Sequence, residues 1–161
     1  MDLRPYFPDD LPHLIDLTID TFGPFYEQQF RPEVGERIFA HQHGDWREDY
    51  RKQVPTLHDP ANGRYVVVAE TGEGDLAGYA AWTVDLAKLH GDIEILAVSA
   101  AHRRDHTATA LCEHAFADMR ARGVEVATIG TGGDPFHAPA RALYEKLGCT
   151  GIRVAVYFKE L

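Results

Sequence analysis

Two carboxylates lie two residues apart in an otherwise apolar stretch of the sequence. Asp92 and Glu94 alternate with Ile93 and Ile95, which predicts a strand that runs to Val98. Side chains two positions apart on a strand point to the same face of its sheet, so both carboxylates should share one surface. A carboxylate with apolar neighbours suits a general base that works near neutral pH, and it could equally bind a substrate ammonium group. An exposed strand face without a chemical role is the simpler alternative.

A short basic loop follows this strand and leads directly into a helix. Arg103 and Arg104 precede a segment in which Ala108, Leu111 and Ala115 recur at helical spacing. The first turn of a helix presents free N–H groups and the positive end of the helix dipole, and both favour anions. The loop therefore indicates a phosphate or diphosphate ligand, with an ordinary solvated basic turn as the alternative.

This loop resembles the acetyl-CoA motif of the GNAT superfamily of N-acetyltransferases, Arg/Gln-x-x-Gly-x-Gly/Ala between a strand and a helix. Arg103 matches the first position and Ala108 the last, whereas His106 stands where the middle Gly is usual. Glycine there lets the backbone approach a pyrophosphate closely, or take dihedral angles closed to other residues. The resemblance implies that acetyl-CoA is the cosubstrate and that it is bound by the end of the strand, the loop and the start of the helix: Leu96, Ala97, Val98, Arg103, Arg104, Asp105, His106, Thr107, Ala108 and Thr109.

A second segment, residues 137–149, resembles the family signature Asn-x-x-Ala-x-x-Leu-Tyr-x-x-x-Gly-Phe. His137 stands where Asn is usual and Cys149 where Phe is usual, while Leu-Tyr-Glu-Lys-Leu-Gly matches from Leu143 onward. The resemblance implies that His137 contacts the cofactor. It also implies that Tyr144 contacts the cofactor and protonates the departing CoA sulfur. A phenol with a pKa of about 10 is a suitable acid for a thiolate. A tyrosine packed on the apolar face of a helix is the alternative.

The acceptor side is less well defined. The resemblance gives Glu94 the place of the general base in polyamine-type relatives. The first two helices and the sheet should supply the acceptor pocket, although large aromatic residues are more often part of the core. Candidates for substrate binding are Phe25, Tyr26, Glu27, Trp82 and Asp92, with Trp46 as a further aromatic candidate. His41, His43 and His90 give no fixed geometry and no evident third ligand, so no metal site is expected.

The predicted elements follow the order β-α-α-β-β-β-α-β-α-β. Strands are expected near 3–6, 65–69, 78–84, 92–98, 124–129 and 153–158, and helices near 11–22, 32–53, 108–119 and 139–147. Gly23-Pro24 should end the first helix, and the second should break near 43–44. The order indicates an α/β protein with a mixed sheet and helices on both faces, and the resemblance implies the single-domain GNAT fold. This fold would have a mixed, mostly antiparallel sheet with a parallel central pair and helices on both faces. Within one domain over 1–161, we expect 1–63 to form the acceptor-side helices and 64–161 the acetyl-CoA-binding core.

Composition narrows the partners and the compartment. The net charge of −9 argues against nucleic acid as a partner and favours a cationic substrate, or serves solubility alone. No apolar run approaches the length of about 18 residues expected of a membrane span, and the amino terminus does not resemble a secretory signal. A cytoplasmic protein without membrane contact is therefore expected, with Cys112 and Cys149 as reduced thiols.

The expected function is transfer of an acetyl group from acetyl-CoA to the primary amine of a small molecule. An aminoglycoside-like compound, a polyamine or an amine metabolite would fit. One alternative is a protein or peptide N-acetyltransferase that acts on a chain terminus or a lysine. The other is a non-catalytic acyl-CoA-binding module, which His106 in the glycine position would favour. The resemblance also allows a homodimer.

Overall fold

A five-stranded sheet in the order β1-β2-β3-β4-β5 carries the candidate site. The computed structural model describes all residues 1–161. The strands are β1 (Asp2–Pro5), β2 (Arg64–Glu70), β3 (Leu76–Asp85), β4 (His90–Val98) and β5 (Val126–Ile129). The first four strands pair antiparallel, and β5 pairs parallel to β4. The predicted mixed, mostly antiparallel sheet is confirmed, with its parallel pair at the edge of the sheet.

Six helices accompany the sheet: α1 (Leu11–Pro24), α2 (Arg31–Val34), α3 (Glu36–His43), α4 (Trp46–Gln53), α5 (Thr107–Ala121) and α6 (Ala138–Lys146). The chain divides into two compact units, described separately below. The first unit comprises Met1–Thr21 and Tyr50–Gly130, and the second comprises Phe22–Asp49 and Thr131–Leu161. No helix combines the length and the apolar character that a membrane span requires.

In the first unit, α5 packs closely against one face of the sheet. A Cβ atom at Gly91 would lie 2.6 Å from the Met119 sulfur, so only glycine lets the helix come this near. The opposite face meets α1, where the Tyr79 hydroxyl lies 2.5 Å from Thr18 Oγ1. Burial raises the pKa of Tyr79, so its hydroxyl stays neutral inside the core. The sheet thus has α5 packed on one face, while α1 contacts the other face.

The first helix ends at Pro24, which confirms the predicted end at Gly23-Pro24, although the backbone of the second unit continues in another kind of helix. A π-helical segment, Phe25–Phe30, follows directly, with Arg31 N–H bonded to Tyr26 O. The Tyr26 ring stacks on Trp46 at 4.8 Å between centroids, and a Cβ at Gly23 would lie 3.1 Å from the same indole. Aromatic packing therefore outweighs the local helix-breaking tendency of glycine and proline.

Residues 150–161 form neither helix nor strand, so the predicted closing strand at 153–158 is wrong. Alternation of apolar residues predicted it, yet Ile152 is 88% and Tyr157 91% exposed. A strand gains its stability from pairing with a neighbour, and no strand pairs with this segment. This absence leaves β5 as the outer strand of the sheet.

Candidate active site

The two parallel strands stay paired over only four residues each. Pairing begins at His90 opposite Val126 and ends at Ile93 opposite Ile129. From Glu94 to Val98, β4 continues with β3 on one side and no strand on the other. The backbone N–H and C=O groups on the open side need partners. An extended ligand that carries amide groups could supply them, as an added strand would.

A β-bulge in β4 places Glu94 on the face of the sheet opposite α5. Ala81 pairs with Ile95 and Trp82 pairs with Ile93, so Glu94 is the extra residue between the two pairs. Its carboxylate meets Arg64 of β2, with Nη2 to Oε2 at 2.6 Å. The two side chains retain 28% and 24% exposure for Arg64 and Glu94. The prediction that the Glu94 carboxylate has apolar surroundings is therefore wrong, because an arginine faces this carboxylate.

Asp92 lies on the same face and has a polar neighbour on β5. The Thr128 hydroxyl donates to Asp92 Oδ1 at 2.6 Å, and Thr128 Oγ1 also lies 3.2 Å from His90 Nε2. The parallel register puts Thr128 directly opposite Asp92. Asp92 and Glu94 thus share a surface, as strand alternation predicted. Arg64 and Thr128 belong to this surface as well, although no sequence signal marks either residue.

The loop between β4 and α5 is exposed and basic, as predicted. Two of its residues adopt positive φ, Arg104 at 69° and His106 at 57°. His106 is the residue immediately before α5, and Ala110 N–H donates to its carbonyl at 2.9 Å. Glycine adopts a left-handed conformation without cost, whereas other residues adopt it only at a cost, so histidine is an unfavourable residue at this position.

The start of α5 offers an anion site next to the open end of β4. The helix has 15 residues, and its N-cap makes no side-chain hydrogen bond. The N–H groups of its first turn therefore remain available to a ligand. Arg103 Nε lies 3.4 Å from the Val98 carbonyl, which folds this side chain back toward the end of the strand. Residues 96–98 and 103–109, which are predicted to bind the cofactor, run from the open edge of β4 through this loop to the start of α5, and their binding role stays a prediction.

In the second unit, His137 lies immediately before α6 and Tyr144 lies within it. Asp134 caps this region: its carboxylate accepts from His137 N–H at 3.2 Å and lies 2.7 Å from His137 Nδ1. Arg141 donates to the Asp134 carbonyl at 2.8 Å, which fixes the same loop from the other side. Tyr144 is half-buried on the helix, and its carbonyl accepts from Cys149 N–H. The spacing of Asp134 and His137, three residues apart at a helix start, is a capping signal that the sequence analysis missed.

The predicted acceptor residues of the second unit lie in an aromatic cluster. Phe25 packs edge-on against His137 at 4.7 Å, and Tyr26 stacks on Trp46. The carboxylate of Glu27 accepts from Trp46 Nε1 and from Arg31, and these two donors hold the pKa of Glu27 below its usual range. The carboxylate of Glu27 is therefore already bonded to an arginine and an indole N–H of the same chain.

Trp82, the remaining acceptor candidate, lies in the core of the first unit. Its side chain faces α5, where Nε1 donates to Asp118 at 3.0 Å, and the residue is only 3% exposed. This burial argues against the predicted role in an acceptor pocket. No group of three or more His, Cys, Asp or Glu side chains is placed to hold a metal ion.

Comparison with known proteins agrees with the observed geometry. The sequence matches the acetyltransferase (GNAT) family over residues 18–149, well over half of the chain. The chain belongs to the GNAT family. The family match and the observed sheet confirm the fold that the two motifs implied.

One curated relative and two solved structures illustrate the similarity. The uncharacterized N-acetyltransferase YsnE of Bacillus subtilis (strain 168) is 38% identical over 77 residues, which cover 47% of this chain and 50% of that protein. This chain thus spans about half the length of that relative. A GNAT acetyltransferase from Staphylococcus aureus Mu50 has a TM-score of 0.67 at 12% identity, with 99% of this chain and 92% of that chain covered. An aminoglycoside acetyltransferase from an uncultured soil metagenomic sample has a TM-score of 0.60 at 22% identity, with 99% and 96% covered. At these identities the solved structures show the fold alone.

Proposed function

We propose that this GNAT protein transfers an acetyl group from acetyl-CoA to the primary amine of a small molecule. The observation that carries the proposal is the continuous path from the open edge of β4 to the start of α5. An extended chain with amide groups and a diphosphate matches this path, because the strand edge offers backbone partners and the helix terminus favours anions. The family match supports acetyl-CoA as the ligand that has both features.

The residues that would hold acetyl-CoA are those of the strand edge, the loop and the first turn of α5. When bound, the cosubstrate supplies an acetyl thioester. His106 keeps the left-handed conformation that the motif glycine would adopt. The loop therefore retains its shape, which weakens the alternative of a non-catalytic binding module. His137 remains a proposed cofactor contact, and Asp134 orients its ring.

Glu94 is the proposed general base, since it lies on the bulge at the point where the two parallel strands separate. Its carboxylate would take a proton from the acceptor ammonium group, directly or through water, and so free the amine lone pair for attack. Asp92, bonded to Thr128 on the same face, would bind a positive charge of the acceptor. Tyr144 would donate its hydroxyl proton to the departing sulfur, a role that rests on its motif.

The acceptor class follows from charge. The surface that holds Asp92 and Glu94 has two carboxylates against one arginine, Arg64 of β2, which favours a cationic small molecule over an uncharged one. An aminoglycoside-like compound, a polyamine or an amine metabolite fits this chemistry. The metagenomic structural neighbour is named as an aminoglycoside acetyltransferase, and its fold agrees with this class without fixing it.

A panel of amines with detection of released thiol tests this proposal. Polyamines, aminoglycosides and monoamines are compared with an unrelated peptide, and mass spectrometry verifies the acetylated product. We expect turnover with at least one cationic small amine and a loss of about 100-fold or more in Glu94→Gln. Glu113→Gln, which alters an exposed glutamate on α5, is the matched control and should retain activity. Turnover of the peptide alone would instead establish a protein acetyltransferase.

A further inference from the structure

Arg64 of β2 and Glu94 of β4 form a short ion pair across the intervening strand β3. Arg64 begins β2 and Glu94 lies in β4, and 2.6 Å separates Nη2 from Oε2. Hydrogen bonds between two charged groups are shorter and stronger than those between neutral groups. Because both side chains are about three-quarters covered, solvent screens this pair less than a fully exposed one.

Hydrogen bonds fix both the backbone and the side chain of Arg64. Its Nε donates to the Thr56 carbonyl at 2.7 Å. Its backbone exchanges two hydrogen bonds with Asp59, each 3.0 Å long. Thr56 closes a short turn, Val54–Thr56, whose first residue is buried. The guanidinium that reaches Glu94 therefore belongs to an anchored side chain and not to a freely moving one.

The other ionisable groups on this face do not replace Arg64. Asp92 repeats the negative charge of Glu94 two residues away, and its carboxylate is bonded to Thr128. His90 lies two residues before Asp92 on β4, and its Nε2 approaches the same threonine hydroxyl. The residues of β3 that share this face near Glu94, Ala81 and Thr83, carry no charge. Arg64 is thus the cation that opposes the carboxylate of Glu94.

We infer that Arg64 is a positioning residue for catalysis: it holds the Glu94 carboxylate in a fixed orientation, from which Glu94 accepts a proton. The inference rests on the proposed function, because it assumes that Glu94 is the base. A guanidinium at hydrogen-bonding distance fixes the direction of a carboxylate, so Glu94 is already oriented before the acceptor binds. The same contact leaves the second oxygen of Glu94 for the substrate or a bridging water.

The test compares Arg64→Gln and Arg64→Met with Arg64→Lys and with Arg122→Gln. Arg122 is a suitable control because it is another partly exposed arginine in a 2.7 Å ion pair, with Asp118, on the opposite face of the sheet. In the two removal variants, kcat should fall by about tenfold while the KM for the amine stays within about threefold of wild type, because Glu94 is present but no longer oriented. The lysine variant should recover part of this loss, and the Arg122 control should show no loss. The dissociation constant for acetyl-CoA should stay within about threefold of wild type in all four.

A second readout needs no turnover. In protein without cosubstrate, the carbon NMR signal of the Glu94 carboxyl group, assigned with Glu94→Gln, should change its chemical shift when Arg64 is removed and stay unchanged in Arg122→Gln. In the Glu94→Gln background, Arg64→Gln should cause no further loss of activity, because Arg64 acts through Glu94.

The outcomes separate the two claims. If Glu94→Gln keeps wild-type activity, the proposed base is wrong, and the inference about Arg64 falls with it. If Glu94→Gln loses activity while the Arg64 variants leave both kcat and the carboxyl NMR signal unchanged, only the inference is overturned. If neither removal variant folds, as circular dichroism and thermal melting would reveal, Arg64 serves the fold and the positioning role is likewise overturned.

Discussion

Ile93 and Ile129 form the last pair of the parallel ladder between β4 and β5, and the next residue of β4 is Glu94. The backbone of β4 beyond this pair lacks a neighbour on one side. We expect acetyl-CoA to slow hydrogen exchange at the open amides of residues 94–98 and at the first turn of α5. Exchange measured by mass spectrometry or NMR checks this, with amides of β1 and β2 as an internal reference. Equal protection throughout the sheet, or none at these sites, would contradict the proposed binding path.

His106→Gly should stabilise the protein. The residue adopts a φ of 57°, which costs a non-glycine residue roughly 1–2 kcal/mol. Glycine removes this cost but adds disorder to the unfolded chain, so the net gain should be about 0.5–1 kcal/mol. Urea unfolding measures it, and acetyl-CoA affinity should stay equal or increase.

Asp105→Gly is the control for this change. Asp105 is an exposed neighbour in the same loop without a positive φ, so its replacement should lower stability. If both glycine variants destabilise the protein equally, backbone strain at His106 is absent. If His106→Gly abolishes cofactor binding, the imidazole itself has a role that the backbone argument omits.

Much of the sheet could be predicted because its signals are local. The strands predicted near 65–69, 78–84 and 92–98 match β2, β3 and β4 to within about two residues. The loop and α5 followed from helical spacing and from the motif. These segments encode their own conformation.

The parts that sequence analysis missed depend on contacts distant in the chain. Arg64 meets Glu94 across 30 positions because of strand register and a bulge, and Thr128 meets Asp92 through the parallel register. Trp82 could not be assigned to the α5 side without that register. Residues 153–158 have the alternation of a strand, but pairing, not alternation, decides whether a strand forms.

Asp10→Asn should destabilise the first unit in a pH-dependent manner. Arg4 holds both carboxylate oxygens at 2.8 Å, and this bonding lowers the pKa of Asp10 from its ordinary value of 3.8. Because the folded value lies below the unfolded one, the contribution is complete above about pH 4 and disappears as pH falls through the folded pKa. We expect a loss of about 1–3 kcal/mol at pH 7. Urea unfolding at several pH values measures it.

Asp9→Asn provides the comparison for Asp10. The two residues are adjacent, but Asp9 is exposed, and its replacement should change stability by less than about 0.5 kcal/mol. The difference between wild type and Asp10→Asn should shrink as pH approaches 2. A constant difference across this range would mean that packing, not the ion pair with Arg4, accounts for the loss.

Tyr144→Phe should lower kcat by about 10²-fold and leave acetyl-CoA affinity nearly unchanged, because it removes only the hydroxyl proton. Steady-state kinetics with the best amine of the panel and calorimetry with acetyl-CoA separate the two effects. Tyr157→Phe, in the exposed terminal segment, is the matched control and should behave as wild type. Wild-type turnover in Tyr144→Phe would remove its role as the acid.

Isothermal titration calorimetry with acetyl-CoA tests the central claim most directly, since every proposed step depends on this cosubstrate. The proposed function predicts one site per chain with a dissociation constant in the micromolar range, about −8 kcal/mol. It also predicts that raising the salt concentration weakens binding, because the ligand carries phosphates. Absence of binding at millimolar acetyl-CoA to folded protein would contradict the proposed function as a whole.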